Sequence, residues 1–191
     1  MLTEDYIMEN FEVICQWMDH FLQYPDLFLD LITPQESNFR LYFYQRIVLR
    51  AFMRYRYVFA TYTRAFSKSF LAILSRMLQC IFLPNTKTFV CTDIKASGTK
   101  IATEKVNEIL GIFPFLSIDI LTKHQSTDYI ELLYRDGSMF DVINGGQGTR
   151  GIRRTSGVFE EAVLLDGDEI NERVLPTLNI NRKDAAGNMH Q

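Results

Sequence analysis

The sequence predicts an α/β layered domain, with a mostly parallel central sheet flanked by helices and a helical extension at the N-terminus. Two observations carry this. Short β-branched or aromatic runs at 57–61, 88–92 and 158–159 alternate with longer stretches whose apolar residues recur at helical spacing. Apolar residues make up 47% of the 191 positions, enough to bury one sizeable core.

In chain order, residues 6–22 place Ile7, Phe11, Ile14, Met18, Phe21 and Leu22 on one helical face, ending before Tyr24-Pro25. A short helical turn over 26–32 closes at Thr33-Pro34. Residues 39–53 read as a helix with a basic face. The run 57–61 reads as a short buried strand, 62–67 as a loop, and 68–82 as a long apolar helix ending at Leu83-Pro84-Asn85. A strand over 88–92 and a helix over 97–111 follow. Two alternating runs, 129–134 and 139–143, flank Asp136-Gly137-Ser138 as a β-hairpin. Residues 144–154 form a Gly- and Arg-rich loop, Val158-Phe159 steps into Glu160-Glu161, and 183–191 has little to bury. The expected organisation is an acidic extension over 1–37, a core over 38–182 and a flexible tail over 183–191.

Charge is unevenly spread. The first 37 residues carry acids and no Lys or Arg; residues 38–92 carry Arg40, Arg46, Arg50, Arg54, Arg56, Arg64, Lys68, Arg76 and Lys87 and no acid. That segment suits a polyanion, nucleotide or nucleic acid, or an acidic N-terminal element docked on a basic face. Cys15, Cys80 and Cys91 are isolated and fit reduced, buried thiols; three scattered histidines give no metal-ligand spacing. The most apolar stretch, 70–83, is interrupted by Arg76 and Gln79 and is too short to cross a bilayer.

The stretch TYTRAFSKSF, residues 61–70, ends in the Lys68-Ser69 pair of a phosphate-binding loop. Such a loop joins a strand to a helix, points backbone N–H groups at phosphate oxygens, and adds the positive end of the helix dipole. The lysine neutralises phosphate charge and the hydroxyl binds Mg²⁺. Tyr62 and Ser67 stand where glycines are usual.

With Arg64 inside it, the loop resembles that of viral terminase large subunits, the DNA-packaging ATPases of tailed phages. Upstream, Tyr42-Phe43-Tyr44-Gln45 is similar to that family's adenine-recognising motif. Downstream, residues 145–162, GGQGTRGIRRTSGVFEEA, resemble its passage from an arginine element into an apolar strand ending in acids. The resemblance covers about residues 25–183 and implies a P-loop NTPase core using ATP and Mg²⁺. Gln45, Arg64, Ala65, Phe66, Ser67, Lys68 and Ser69 would contact nucleotide. Ser69 and Glu160 would hold the metal, partly through water. Glu161 would be the general base, and Arg150 would act on the γ-phosphate with Lys68. Asp166, closing the apolar run 162–165, is a rival for the strand-end acid, and Arg150, Arg153 and Arg154 read alternatively as a solvated or DNA-facing basic loop.

The implied partners are double-stranded DNA, further copies in a ring at a portal and a small terminase subunit, with no membrane, in the cytoplasm of an infected bacterial host. The family's coupling motif and nuclease domain would follow Gln191, so the chain reads as the N-terminal part of such a motor. A helicase-like ATPase, or a basic DNA- or partner-binding module with a decayed loop, are the alternatives.

Overall fold

The computed structural model describes residues 8–63, 66–93, 95–126, 129–143, 153–178, 182–183 and 189–190. Its organising element is a five-stranded sheet: β1 (Lys87–Cys91), β2 (Ile120–Ser126), β3 (Tyr129–Tyr134), β4 (Met139–Ile143) and β5 (Ser156–Phe159), in the order β2-β3-β4-β1-β5. The inner part is parallel. Central β1 pairs with β4, Val90 opposite Val142, and with β5, Phe89 opposite Gly157. Antiparallel β3 and β2 extend it on the far side. The hairpin expected around Gly137 is present. Gly137 has φ of 84°, the left-handed region that favours glycine, and the Ser138 N–H donates to Asp136 Oδ1 at 2.9 Å.

Helices α1 (Phe11–Gln23), α2 (Pro25–Ile32), α3 (Phe43–Arg54), α4 (Lys68–Phe82) and α5 (Lys95–Ile112) complete the layers. α4 is apolar nearly all round because it is buried nearly all round, between the sheet and its neighbouring helices. Alternation along the strands sends Val90, Ile130, Leu132, Phe140 and Val142 into the main core with Leu71, Leu74, Met77 and Leu78 of α4. Phe89, Cys91 and Ile143 enter a smaller core on the opposite face, closed by Val174 from a run of short helical turns over 162–178.

Gly157, a poor strand former by composition, has a packing reason. A Cβ there would lie 2.2 Å from the fully buried Phe89 ring. Arg182–Lys183 and Met189–His190 form a separate two-residue antiparallel ladder.

Two sequence expectations need correcting, and one strand has no counterpart among them. Residues 57–61 form no strand. They have no regular secondary structure and are exposed, and among the described residues β5 pairs only with β1. Strand β2 was not anticipated, because only Ile120 and Thr122 of its seven residues are even half-buried and an edge strand carrying Lys123 and His124 has no period-two apolar pattern. Of the three cysteines expected to be buried, Cys15 is exposed, while burial pushes the thiols of Cys80 and Cys91 up to about 12 and about 11.

The basic face of α3 docks on the acidic extension. Arg50 holds the fully buried Asp26 with two bonds of 2.7 Å, and Arg46 reaches Asp26 at 3.2 Å and Asp30 at 2.6 Å. Burial pushes the Asp26 carboxyl upward, but hydrogen bonds from Arg50 and then Arg46 outweigh it and hold the group below its ordinary value of 3.8. A depressed folded-state pKa stabilises the fold above the ordinary value, and that contribution is lost as pH falls through the depressed one. Asp26→Asn is therefore expected to cost about 2–3 kcal/mol at pH 7 and less below pH 4, measured by urea unfolding across that range.

Candidate phosphate-binding site

Lys68 opens α4, and the loop before it must turn sharply to feed the helix. Ser67 accomplishes the turn at φ 54°, ψ 28°, the left-handed conformation for which glycine is the ordinary choice. Its hydroxyl makes no capping bond, so no side chain from the N-cap covers the first-turn amides of α4. A serine held there is strained by about 1–2 kcal/mol. Ser67→Gly is expected to stabilise the fold by about 1 kcal/mol, the gain reduced by glycine's greater unfolded-state freedom. For a chain of this size that raises Tm by about 2–4 °C in a thermal melt.

Across from Lys68, the carboxyl end of β5 supplies the two acids. Phe159 pairs with Cys91, and the Glu160 N–H still donates to the Cys91 carbonyl at 3.0 Å, fixing where the strand ends. Glu161 then turns left-handed at φ 52°. Its Oε1 accepts from Lys68 Nζ at 2.8 Å, while the Ser69 hydroxyl donates to Glu160 Oε1. Residues more than 90 positions apart in sequence thus meet pairwise, lysine with the second acid and serine with the first. The glutamate arm at position 160 is long enough to span the gap.

The site lies at the carboxyl ends of parallel strands and the amino end of a helix, the side of an open α/β sheet where ligands bind. The hard oxygens of Ser69 and Glu160 converge, which fits Mg²⁺. The Lys68 ammonium beside them fits phosphate.

The rival acid behaves differently. Ala162–Leu164 is a single helical turn with Val163 and Leu164 exposed, and Asp166 caps the next turn by accepting from the N–H groups of Asp168 and Glu169. Gln45 is buried at the start of α3. Its Oε1 accepts the Tyr42 N–H at 2.8 Å, leaving Nε2 as the end of the amide not engaged in that cap. Arg64, Ala65 and Arg150 fall outside the described residues. Arg153 is exposed, but Arg154, read from sequence as solvated or DNA-facing, is inside the protein. Its guanidinium is doubly bonded to Asp141 of β4 and lies 5.3 Å from the Phe89 ring centroid.

Sequence reading also missed an aromatic stack beside the loop. Tyr42 and Tyr44 lie nearly parallel with centroids 5.9 Å apart; Phe66 is 4.0 Å from Tyr44, and Tyr62 lies 5.5 Å from Phe66. The sequence signal for it is the Tyr-Phe-Tyr run at 42–44 that flanks Gln45.

Fold and site together define an α/β domain with a lysine at a helix amino end and paired acids at a strand end. No protein-family profile and no curated protein matches the chain. Among solved structures, the large terminase ATPase domain of a Thermus phage is similar at 14% identity and a TM-score of 0.49, over 60% of this chain and 51% of that one. The chain thus spans about half the length of that domain. No described helix is long and apolar enough to cross a membrane.

Proposed function

We propose that the chain is a Mg²⁺-dependent P-loop ATPase domain. The observation that carries this is the double meeting of Lys68 with Glu161 and of Ser69 with Glu160 at the junction of α4 and β5. A lysine and a hydroxyl at a helix amino end, faced by two adjacent acids on a parallel strand, are the parts that nucleoside triphosphate hydrolysis requires. Lys68 and the first-turn amides of α4 bind phosphate, and Gln45 meets the base through its Nε2 edge. Ser69 and Glu160 hold Mg²⁺, which when bound neutralises phosphate charge. Glu161 accepts the proton of the attacking water. Arg64 and Arg150 add positive charge.

The finer reading, supported by the ordered set Gln45, Arg64, Lys68-Ser69, Arg150 and Glu160-Glu161, is the ATPase part of a terminase large subunit. It drives double-stranded DNA into a procapsid as a ring of copies at a portal, with a small subunit, in the host cytoplasm.

Titration with a fluorescent ATP analogue tests the core claim. Binding is expected to need Mg²⁺ and to weaken at least about tenfold in Lys68→Ala, the loss of one charge-assisted contact. Binding undiminished in that variant, or absent in the parent while DNA binding persists, would leave a basic module with a decayed loop.

A further inference from the structure

After α3 ends at Arg54, the chain does not turn into the sheet. Residues 54–61, Arg-Tyr-Arg-Tyr-Val-Phe-Ala-Thr, are exposed at every position, with Tyr55 at 67%, Tyr57 at 82% and Phe59 at 88%. Large aromatic side chains held this far into water, three in five residues, mark a surface that meets something.

The path of the strip is fixed at both ends. It leaves the carboxyl end of α3 at Arg54, and by Phe66 it has returned to the amino end, where that ring lies 4.0 Å from Tyr44. α3 is about 18 Å long, and an extended segment of nine residues covers that distance with slack. The strip therefore runs back along α3 and joins the aromatic stack of Tyr62, Phe66, Tyr44 and Tyr42, whose outermost ring is 69% exposed. The exposed rings of Tyr55, Tyr57 and Phe59 thus precede the stack along one stretch of chain.

Its charge has one sign. Arg46 and Arg50 are neutralised by Asp26 and Asp30, but Arg54 and Arg56 are in no ion pair among the described residues. The Arg56 guanidinium lies 5.3 Å from the Tyr57 ring centroid and that of Arg54 lies 4.5 Å from Tyr24. No acid occurs anywhere from residue 38 to 92. A protein partner would need to be acidic and also present a row of slots for aromatic rings. A single-stranded polynucleotide meets both demands with one chemistry: bases stack on the rings and phosphates pair with the arginines.

We infer that residues 54–62, with the rings of Tyr44 and Tyr42, form a stacking track for single-stranded nucleic acid. The track adjoins the phosphate-binding loop at Tyr62 and Phe66, but it does not rest on the ATPase reading. Its length suits several nucleotides, within the range of about 4–16 that single-strand-binding surfaces engage. Its features read base faces and phosphates, and none addresses a sugar hydroxyl, so DNA and RNA strands should bind alike.

The test is fluorescence anisotropy on the full chain without nucleotide, using labelled dT20 and rU20 and an unlabelled 20-base-pair duplex as competitor. Both single strands are expected to bind and the duplex to compete poorly. The double variant Tyr57→Ala/Phe59→Ala, whose exposed side chains put folding at no risk, should weaken binding at least about tenfold. Arg56→Ala should weaken it and flatten its dependence on salt. Equal competition by duplex, or a double variant that binds as the parent does, overturns the track. So does sedimentation velocity showing self-association that depends on Tyr57 and Phe59 while neither oligonucleotide binds.

Discussion

Replacing Asp141 with alanine is expected to destabilise the fold by about 3–5 kcal/mol, read from urea unfolding at neutral pH. The Arg154 guanidinium that it pairs with has a side chain only 2% exposed and cannot swing into water without opening the face between β4, β5 and the 162–178 turns. Two parallel bonds run between the groups, Nη2 to Oδ2 at 2.7 Å and Nη1 to Oδ1, while Arg154 Nε has no partner among the described residues. Arg154 also anchors the 175–178 turn, its N–H donating to the Thr177 carbonyl at 2.9 Å. Removing the carboxylate strands a buried cation, which costs far more than the pair contributes. Hence Asp141→Leu combined with Arg154→Met should recover most of the loss. A double-mutant cycle with a coupling near zero would contradict this account.

The same arginine shows where sequence reading reaches its limit. Arg154 stands two residues before a strand in a run of arginines, and composition alone makes such a run a wet surface. Its partner, 13 positions earlier, is an aspartate in the middle of a strand that otherwise reads as core. Only the register, Asp141 opposite Phe89 and Phe89 opposite Gly157, puts the pair on the second face of the sheet.

Elements with strong periodicity were legible: α4, β1, the β3–β4 hairpin and the parallel inner sheet follow from local pattern. The run 57–61 misled because its residues are those of a buried strand, while strand formation also needs a neighbour with free backbone groups. At the site, Lys68, Ser69, Glu160 and Glu161 were legible as a motif. That they meet pairwise was not, since it depends on where β5 stops and on two left-handed residues, Ser67 and Glu161. The aromatic stack escaped because stacking between positions 44 and 66 is a tertiary fact.

The second large effect is expected at Glu161. In the structure its carboxylate occupies Lys68, the charge a triphosphate would need, so nucleotide must displace it. Both side chains are well exposed, and an ion pair of that kind contributes only about 0–1 kcal/mol. Displacement is cheap. Glu161→Gln removes the competing charge without removing the lysine, so Mg²⁺-dependent binding of a fluorescent ATP analogue should be retained or tighten up to about fivefold. Phosphate release should fall about 10²–10⁴-fold, because an amide cannot accept the proton of the attacking water. Lys68→Ala should instead lose binding and turnover together. This divergence separates a general base from a structural partner of the lysine: were Glu161 only the anchor that holds Lys68 in place, both variants would weaken binding. Phosphate release from Glu161→Gln at the parent's rate would remove Glu161 from the chemistry and direct attention to Glu160, whose carboxylate accepts from the Ser69 hydroxyl one residue along α4.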